Sequence, residues 1–273
     1  NRLTTAQVAG LNTGNLKAIA TGALQGVSTT QLNALSSTQV QALTSVQVQS
    51  LTSSQLNNMN TTQVVNLSSA QVQVLSSNQL NALDDAALKA IETVDLRAIA
   101  TTQIAGLSTT QIQTLNASDI AGLTTTTLGY LSTTQVAALT NVQVIALTTD
   151  QASTLNTTTL GALTTAQVGA LEVADVASLT TASMAALKTT QVGGLTATQL
   201  AGLTTTQVAA LTTTVLGALS TTQVSSLNTA GVSVLTTTNL AALTTTQVGG
   251  LTAKQIAVLS TTQVAAMTTN QVA

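Results

Sequence analysis

Apolar side chains recur along this chain every eight residues. From Leu3, steps of eight reach Leu11, Ile19, Val27 and Leu35 and continue to Leu259 and Met267, thirty-four positions that are all apolar, with no insertion or deletion. A second apolar series runs from Val8 through Leu16, Leu24, Leu32 and Val40 to Val272, broken only by the smaller Ala152. Between them lie hydroxyls and amides, so that the consensus octad is L-[ST]-T-x-Q-[VLI]-x-[AG]. Strict self-similarity at a fixed period is the mark of a repeat architecture. Residues 1–273 therefore read as one uninterrupted array of about 34 octapeptide repeats, with no separate catalytic domain.

An octad excludes both regular backbones if either runs unbroken. Eight residues of α-helix turn about 800°, so each Leu would sit roughly 80° further round and no face could stay buried. In a straight strand Leu3 and Val8 have opposite parity and point to opposite sides. Each octad must be one short element plus one bend, which is the unit of a solenoid.

Thr and Val favour strands, yet no Gly, Asn or Asp stands at a fixed place in every octad to mark a strand corner. The capping pattern favours helix. In Leu3-Thr4-Thr5-Ala6-Gln7-Val8, Thr4 suits an N-cap, Gln7 falls at the third helical position where its side chain can reach back, and Leu3 and Val8 take the two staple positions. Of the thirty-four cap positions, all but Ala20, Glu92, Ala100, Glu172 and Lys188 are Ser, Thr, Asn or Asp; Gln fills twenty-two of the third positions, and Asp95, Asp119 and Asp175 three more. All eight acids, Asp84, Asp85, Glu92, Asp95, Asp119, Asp150, Glu172 and Asp175, fall between the cap and the third position, where the helix dipole favours an anion. Arg2, Lys17, Lys89 and Arg97 fall in a last turn, while Lys188 and Lys254 fall at the opposite end.

The expected fold is thus all-α, a solenoid of very short capped helices, one per octad; a β-solenoid with Gln and Thr ladders is the alternative. Helices of six or seven residues cannot persist alone, so the Leu and Val/Ile/Leu positions should form an interior column. The small residues before each Leu, such as Gly10, Ala18, Ala34, Ala42, Gly106 and Ala210, should let coils approach closely. Tyr130 breaks that small-residue series and predicts a bulge or an outward-facing ring.

Composition removes most chemistry. The chain has no His, Cys, Pro, Trp or Phe and only 5% charged residues, so imidazole and thiolate catalysis and the usual zinc, haem and iron–sulfur ligand sets are excluded. Six bases against eight acids make no phosphate-binding stripe, which argues against nucleic acid. No apolar run approaches the roughly 18–20 residues that span a bilayer. No catalytic, cofactor-binding or metal-ligating residue is expected, and no cofactor. The chain begins at Asn1 without a recognisable signal sequence, which suggests a processed or excised piece.

Four further features bear on chemistry or binding. Asp84, Asp85, Lys89, Glu92, Asp95 and Arg97 form the one charge-dense stretch; oxygen ligands of this kind can hold Ca²⁺, but the spacing matches no calcium loop and helix-end roles account for it. Glu172 and Asp175 resemble an acid/base carboxylate pair and equally a cap with its third residue. The Thr triplets, as at Thr124–Thr127 and Thr204–Thr206, would offer hydroxyls and methyls to ice, glycan or a crystalline surface if aligned. Gly193-Gly194 and Gly249-Gly250 lack the flanking features of a phosphate loop.

The iterated octad, from Leu3-Thr4-Thr5-Ala6-Gln7-Val8 to Met267-Thr268-Thr269-Asn270-Gln271-Val272, resembles the repeat regions of long secreted or surface-anchored, adhesin-like bacterial proteins. The resemblance implies an extracellular or cell-surface location and a mechanical role. Neither Asn1-Arg2 nor Gln271-Val272-Ala273 looks like the polar cap that closes most repeat arrays. The expected function is therefore structural, a filament, sheath or stalk segment that self-associates end to end and also side by side. A rigid surface-binding rod, contacting ice or glycan through Thr arrays, is the rival.

Overall fold

The computed structural model describes residues 3–272. Asn1, Arg2 and Ala273 lie outside the described residues, and with them the last-turn place expected for Arg2. Among the described residues every octad forms one α-helix, from α1 (Thr5–Ala9) to α34 (Thr269–Val272), and there is no strand. The helices run four to six residues, slightly shorter than expected.

The chain divides into two compact units, residues 1–138 and residues 139–273. Within each unit a helix packs on the helix three places further along: α1 on α4 (Thr29–Asn33) in the first, α24 (Thr189–Val192) on α27 (Thr213–Ala218) in the second. Three octads, 24 residues, therefore complete one coil. In both units the two apolar series face inward. Every member from Val27 to Leu251 in one series, and from Val8 to Val248 in the other, is buried. Each buried Leu or Val contributes roughly 1.5–3 kcal/mol by leaving water, which the isolated helices cannot obtain.

The corners use ordinary backbone. Leu211 (φ −61°, ψ 128°) ends α26 (Thr205–Ala210), and Thr212 (φ −76°, ψ 159°) caps α27. Two consecutive residues in this extended region turn the chain between helices. No glycine or other residue takes a positive φ among the described residues. Since any L-residue adopts this corner, no Gly or Asn is needed at a fixed place. The small-residue series does permit close approach: a Cβ on Gly106 would overlap Ser77, and one on Gly202 would overlap Val173, each 29 residues earlier.

Capping follows the sequence pattern. The Thr204 hydroxyl accepts the Gln207 N–H at 3.2 Å while Gln207 Oε1 accepts the Thr204 N–H at 3.0 Å, and the same box recurs through the array. At Ala20, Glu92, Ala100, Glu172 and Lys188 no side-chain cap bond forms.

The other end of the same glutamine supplies a contact that the octad pattern does not announce. Gln207 Nε2 donates to Val176 O at 2.8 Å, Ala177 O at 3.2 Å and Leu179 O at 2.9 Å, the final carbonyls of α22 (Val173–Ser178) and its corner, one coil earlier. Gln47, Gln55, Gln111, Gln199 and Gln255 repeat the reach to carbonyls 28, 30 and 31 residues back. These amides are interior groups, with Gln47 and Gln255 only 2% and 1% exposed. A helix leaves its last carbonyls without internal partners, and at a buried corner water cannot serve them. The amide does.

A charge change at the amide separates its two duties. Gln207→Glu keeps the acceptor for the Thr204 N–H and removes the donor to the coil below. It should cost at least about 2 kcal/mol in denaturant unfolding of residues 1–273, because it leaves buried carbonyls facing a carboxylate. Gln7→Glu should be near neutral, since Gln7 is exposed and its side chain accepts the Thr4 N–H.

Candidate functional site

The charge-dense stretch resolves into helix-end duties. Asp84 caps α11 (Asp85–Ala90) by accepting the Ala87 N–H at 2.7 Å, Asp85 follows in the first turn and Lys89 sits in the last. Asp84, Asp85, Lys89, Glu92 and Arg97 are exposed, whereas Asp95 turns inward and accepts the Ser69 hydroxyl at 2.5 Å. Among the described residues no three acids gather where they could share a metal ion. Glu172 and Asp175 also part company: Glu172 is exposed at the start of α22 and Asp175 is 1% exposed within it. Burial holds the Asp175 carboxyl above the usual carboxylate range, against a lowering hydrogen bond from the Thr149 hydroxyl and with a further rise from the Glu172 charge.

Tyr130 is the C-cap of α16 (Thr125–Gly129) and the residue is 58% exposed, so of the two expected outcomes the outward-facing ring is the one found. Gly193 borders a shallow groove of about 450 Å³ whose lining includes Leu195, Ala218, Ser220 and Thr222. Its lining holds no acid or base.

The Thr triplets do not behave alike. In Thr124–Thr127, Thr127 is buried and its hydroxyl pairs with that of Thr124 at 2.9 Å. Thr204, Thr205 and Thr206 are all exposed. A longer alignment emerges only with the 24-residue coil. In the second unit α24, α27, α30 (Thr237–Ala241) and α33 (Thr261–Ala265) stack in succession. Their first two helical residues are Thr189-Thr190, Thr213-Thr214, Thr237-Thr238 and Thr261-Thr262, all exposed except the half-buried Thr213. An eight-residue repeat shows these pairs as scattered; sorting octads by threes would have found the row.

At some third positions without glutamine another side chain makes the corner bond, while Ala87 and Val215 offer no donor. Ser183 Oγ donates to Leu155 O at 2.8 Å and Asn239 Nδ2 to Leu211 O at 3.1 Å, both 28 residues back. Gly231 has no side chain, and the cap residue Asn228 reaches down instead, donating to Leu203 O at 2.8 Å and Ala201 O at 3.0 Å while accepting the Gly231 N–H at 2.7 Å. Asn228→Ala therefore removes a cap and a corner donor together. It should cost about 2–3 kcal/mol in chemical denaturation, against about 1 kcal/mol for Thr244→Ala, which removes a cap alone.

No helix among the described residues is long and apolar enough to cross a membrane. No curated protein matches the chain. The sequence profile of the ALTTAQ repeat matches residues 16–53, 48–85, 88–125, 115–149, 176–213, 216–245 and 240–273, most of the length. The chain belongs to the ALTTAQ repeat family.

Proposed function

We propose that the protein is a structural, non-enzymatic element that works by laying coil upon coil, as a segment of an extracellular or cell-surface filament, sheath or stalk. The observation that carries this is the unbroken stacking within each unit, where helix after helix packs on the one three octads further along and both apolar series are buried. At the last described coil the inward series is uncovered: Ile256 is 51% and Val264 45% exposed, where Val232 and Leu240 one coil earlier are both 0%. A further coil, from the same chain or a second copy, would bury these side chains and supply amides to the corner below. Sparse charge, six bases and eight acids over 273 residues, leaves little repulsion between neighbouring arrays, which also favours side-by-side association. The location follows from the resemblance of the octad to secreted and surface-anchored, adhesin-like bacterial repeat regions. Negative-stain microscopy with sedimentation of residues 1–273 should show threads or concentration-dependent assembly, and Ile256→Glu with Val264→Glu should shorten or disperse them. Monodisperse particles of single-chain mass in the unsubstituted protein would overturn the proposal.

The threonine row on α24, α27, α30 and α33 favours one second reading, contact with ice or a glycan surface. Under that reading Thr213→Val, Thr237→Val and Thr261→Val together should abolish thermal hysteresis or retention on the glycan, with the helical circular dichroism unchanged. Unaltered retention would exclude the row.

A further inference from the structure

Twenty-two third positions carry Gln and three carry Asp, and an ionised Asp can cap but cannot donate to the coil below. Asp95 and Asp119 each accept a hydroxyl from 26 residues earlier, Ser69 at 2.5 Å and Thr93 at 2.6 Å. The second oxygen of Asp119 accepts the Asn116 N–H at 2.8 Å. Asp175 takes the equivalent Thr149 hydroxyl and the Glu172 main-chain N–H. Its Oδ2, however, is buried with no hydrogen-bond partner.

The position of that oxygen in the repeat states what it lacks. A glutamine at this place would donate to the carbonyl 28 residues back, here Leu147, as Gln207 does to Leu179. Asn has the same shape as Asp, and Asn239 spans the equivalent gap to Leu211 O at 3.1 Å. The shorter Ser183 spans it to Leu155 O at 2.8 Å. The charges around Asp175 all oppose a second negative one. Asp150 lies on α19 (Thr149–Ser153), which packs against α22, and Glu172 stands at the start of α22 itself. The other packed helix, α25 (Ala197–Ala201), and the flanking α21 (Thr165–Ala170) and α23 (Thr181–Ala185) carry no charge. The nearest base along the chain, Lys188, donates its ammonium to Gly161 O at 2.6 Å.

We propose that Asp175 is the neutral acid in the folded coil and that its Oδ2–H donates to the Leu147 carbonyl, so that this joint of the array is closed by a proton and opened by its loss. On opening, the proton passes to solvent and the O–H···O bond is replaced by a carboxylate facing a carbonyl. The direction of pH dependence follows. A carboxyl raised in the folded state contributes stability that is complete below the ordinary carboxylate range and is lost as pH rises through the raised value. The proposal is independent of any role in assembly.

Thermal unfolding of residues 1–273, followed by circular dichroism from about pH 4 to about pH 8, tests it on three proteins. Unsubstituted protein should lose about 2–4 °C of Tm over this range relative to Asp175→Asn, taking the joint as worth one hydrogen bond. Asp175→Asn keeps a donor at every pH. Asp175→Leu has neither charge nor donor, so it should show no such loss yet melt below Asp175→Asn at every pH. An unsubstituted-protein profile parallel to that of Asp175→Asn, or equal melting of the Asn and Leu variants, would overturn the proposal. Carbon-13 titration of the six aspartates in the unsubstituted protein gives a readout free of any variant. One carboxyl should stay protonated after the others have ionised; simultaneous titration of all six would defeat the idea.

Discussion

A helix of five residues closes one or two internal hydrogen bonds and leaves most of its carbonyls bare, so a coil built from such helices is stable only if something else satisfies those carbonyls in the interior. The third-position glutamine meets that constraint with one amide group. Its oxygen closes the cap of its own helix, and its nitrogen holds the corner of the coil beneath. Glutamate caps as well as glutamine does, yet no third position holds Glu. A carboxylate cannot donate, and the lower corner needs a donor.

Several departures from glutamine serve the corner in another way, while Ala87 and Val215 offer it no donor. Ser183 and Asn239 do so with shorter side chains, and Asn228 does so from the cap when Gly231 offers nothing. Asp95 and Asp119 give up the downward donor and take a hydroxyl from the coil below instead. Such local substitutions are tolerated because a solenoid joins each coil only to its neighbours, so that one weak joint costs little elsewhere.

The allocation of positions also limits what the surface can do. In each octad two side chains build the core, two build the cap and the corner bond, and one stays small for close approach. The first two helical residues and the one after the buried Val are free to vary. They carry mostly Thr, Ala, Ser and Gly, so the outer faces offer hydroxyls and methyls rather than acids and bases.

Much of this was legible in the octad. Its period demanded one short element and one bend; Thr4 with Gln7 located the helix start; Leu3 and Val8 located the core; Tyr130 faces out as one of two expected outcomes. These are local matters, set by capping chemistry and side-chain periodicity within a few residues. What only the tertiary structure decided is that three octads make a coil. That number sets a 28-residue reach between Gln207 and Leu179, aligns the Thr pairs of the second unit, and leaves Asp175 with an oxygen that nothing meets. Each depends on which residues lie one coil apart, and an exact repeat of eight looks the same along the chain whatever number of octads closes the turn.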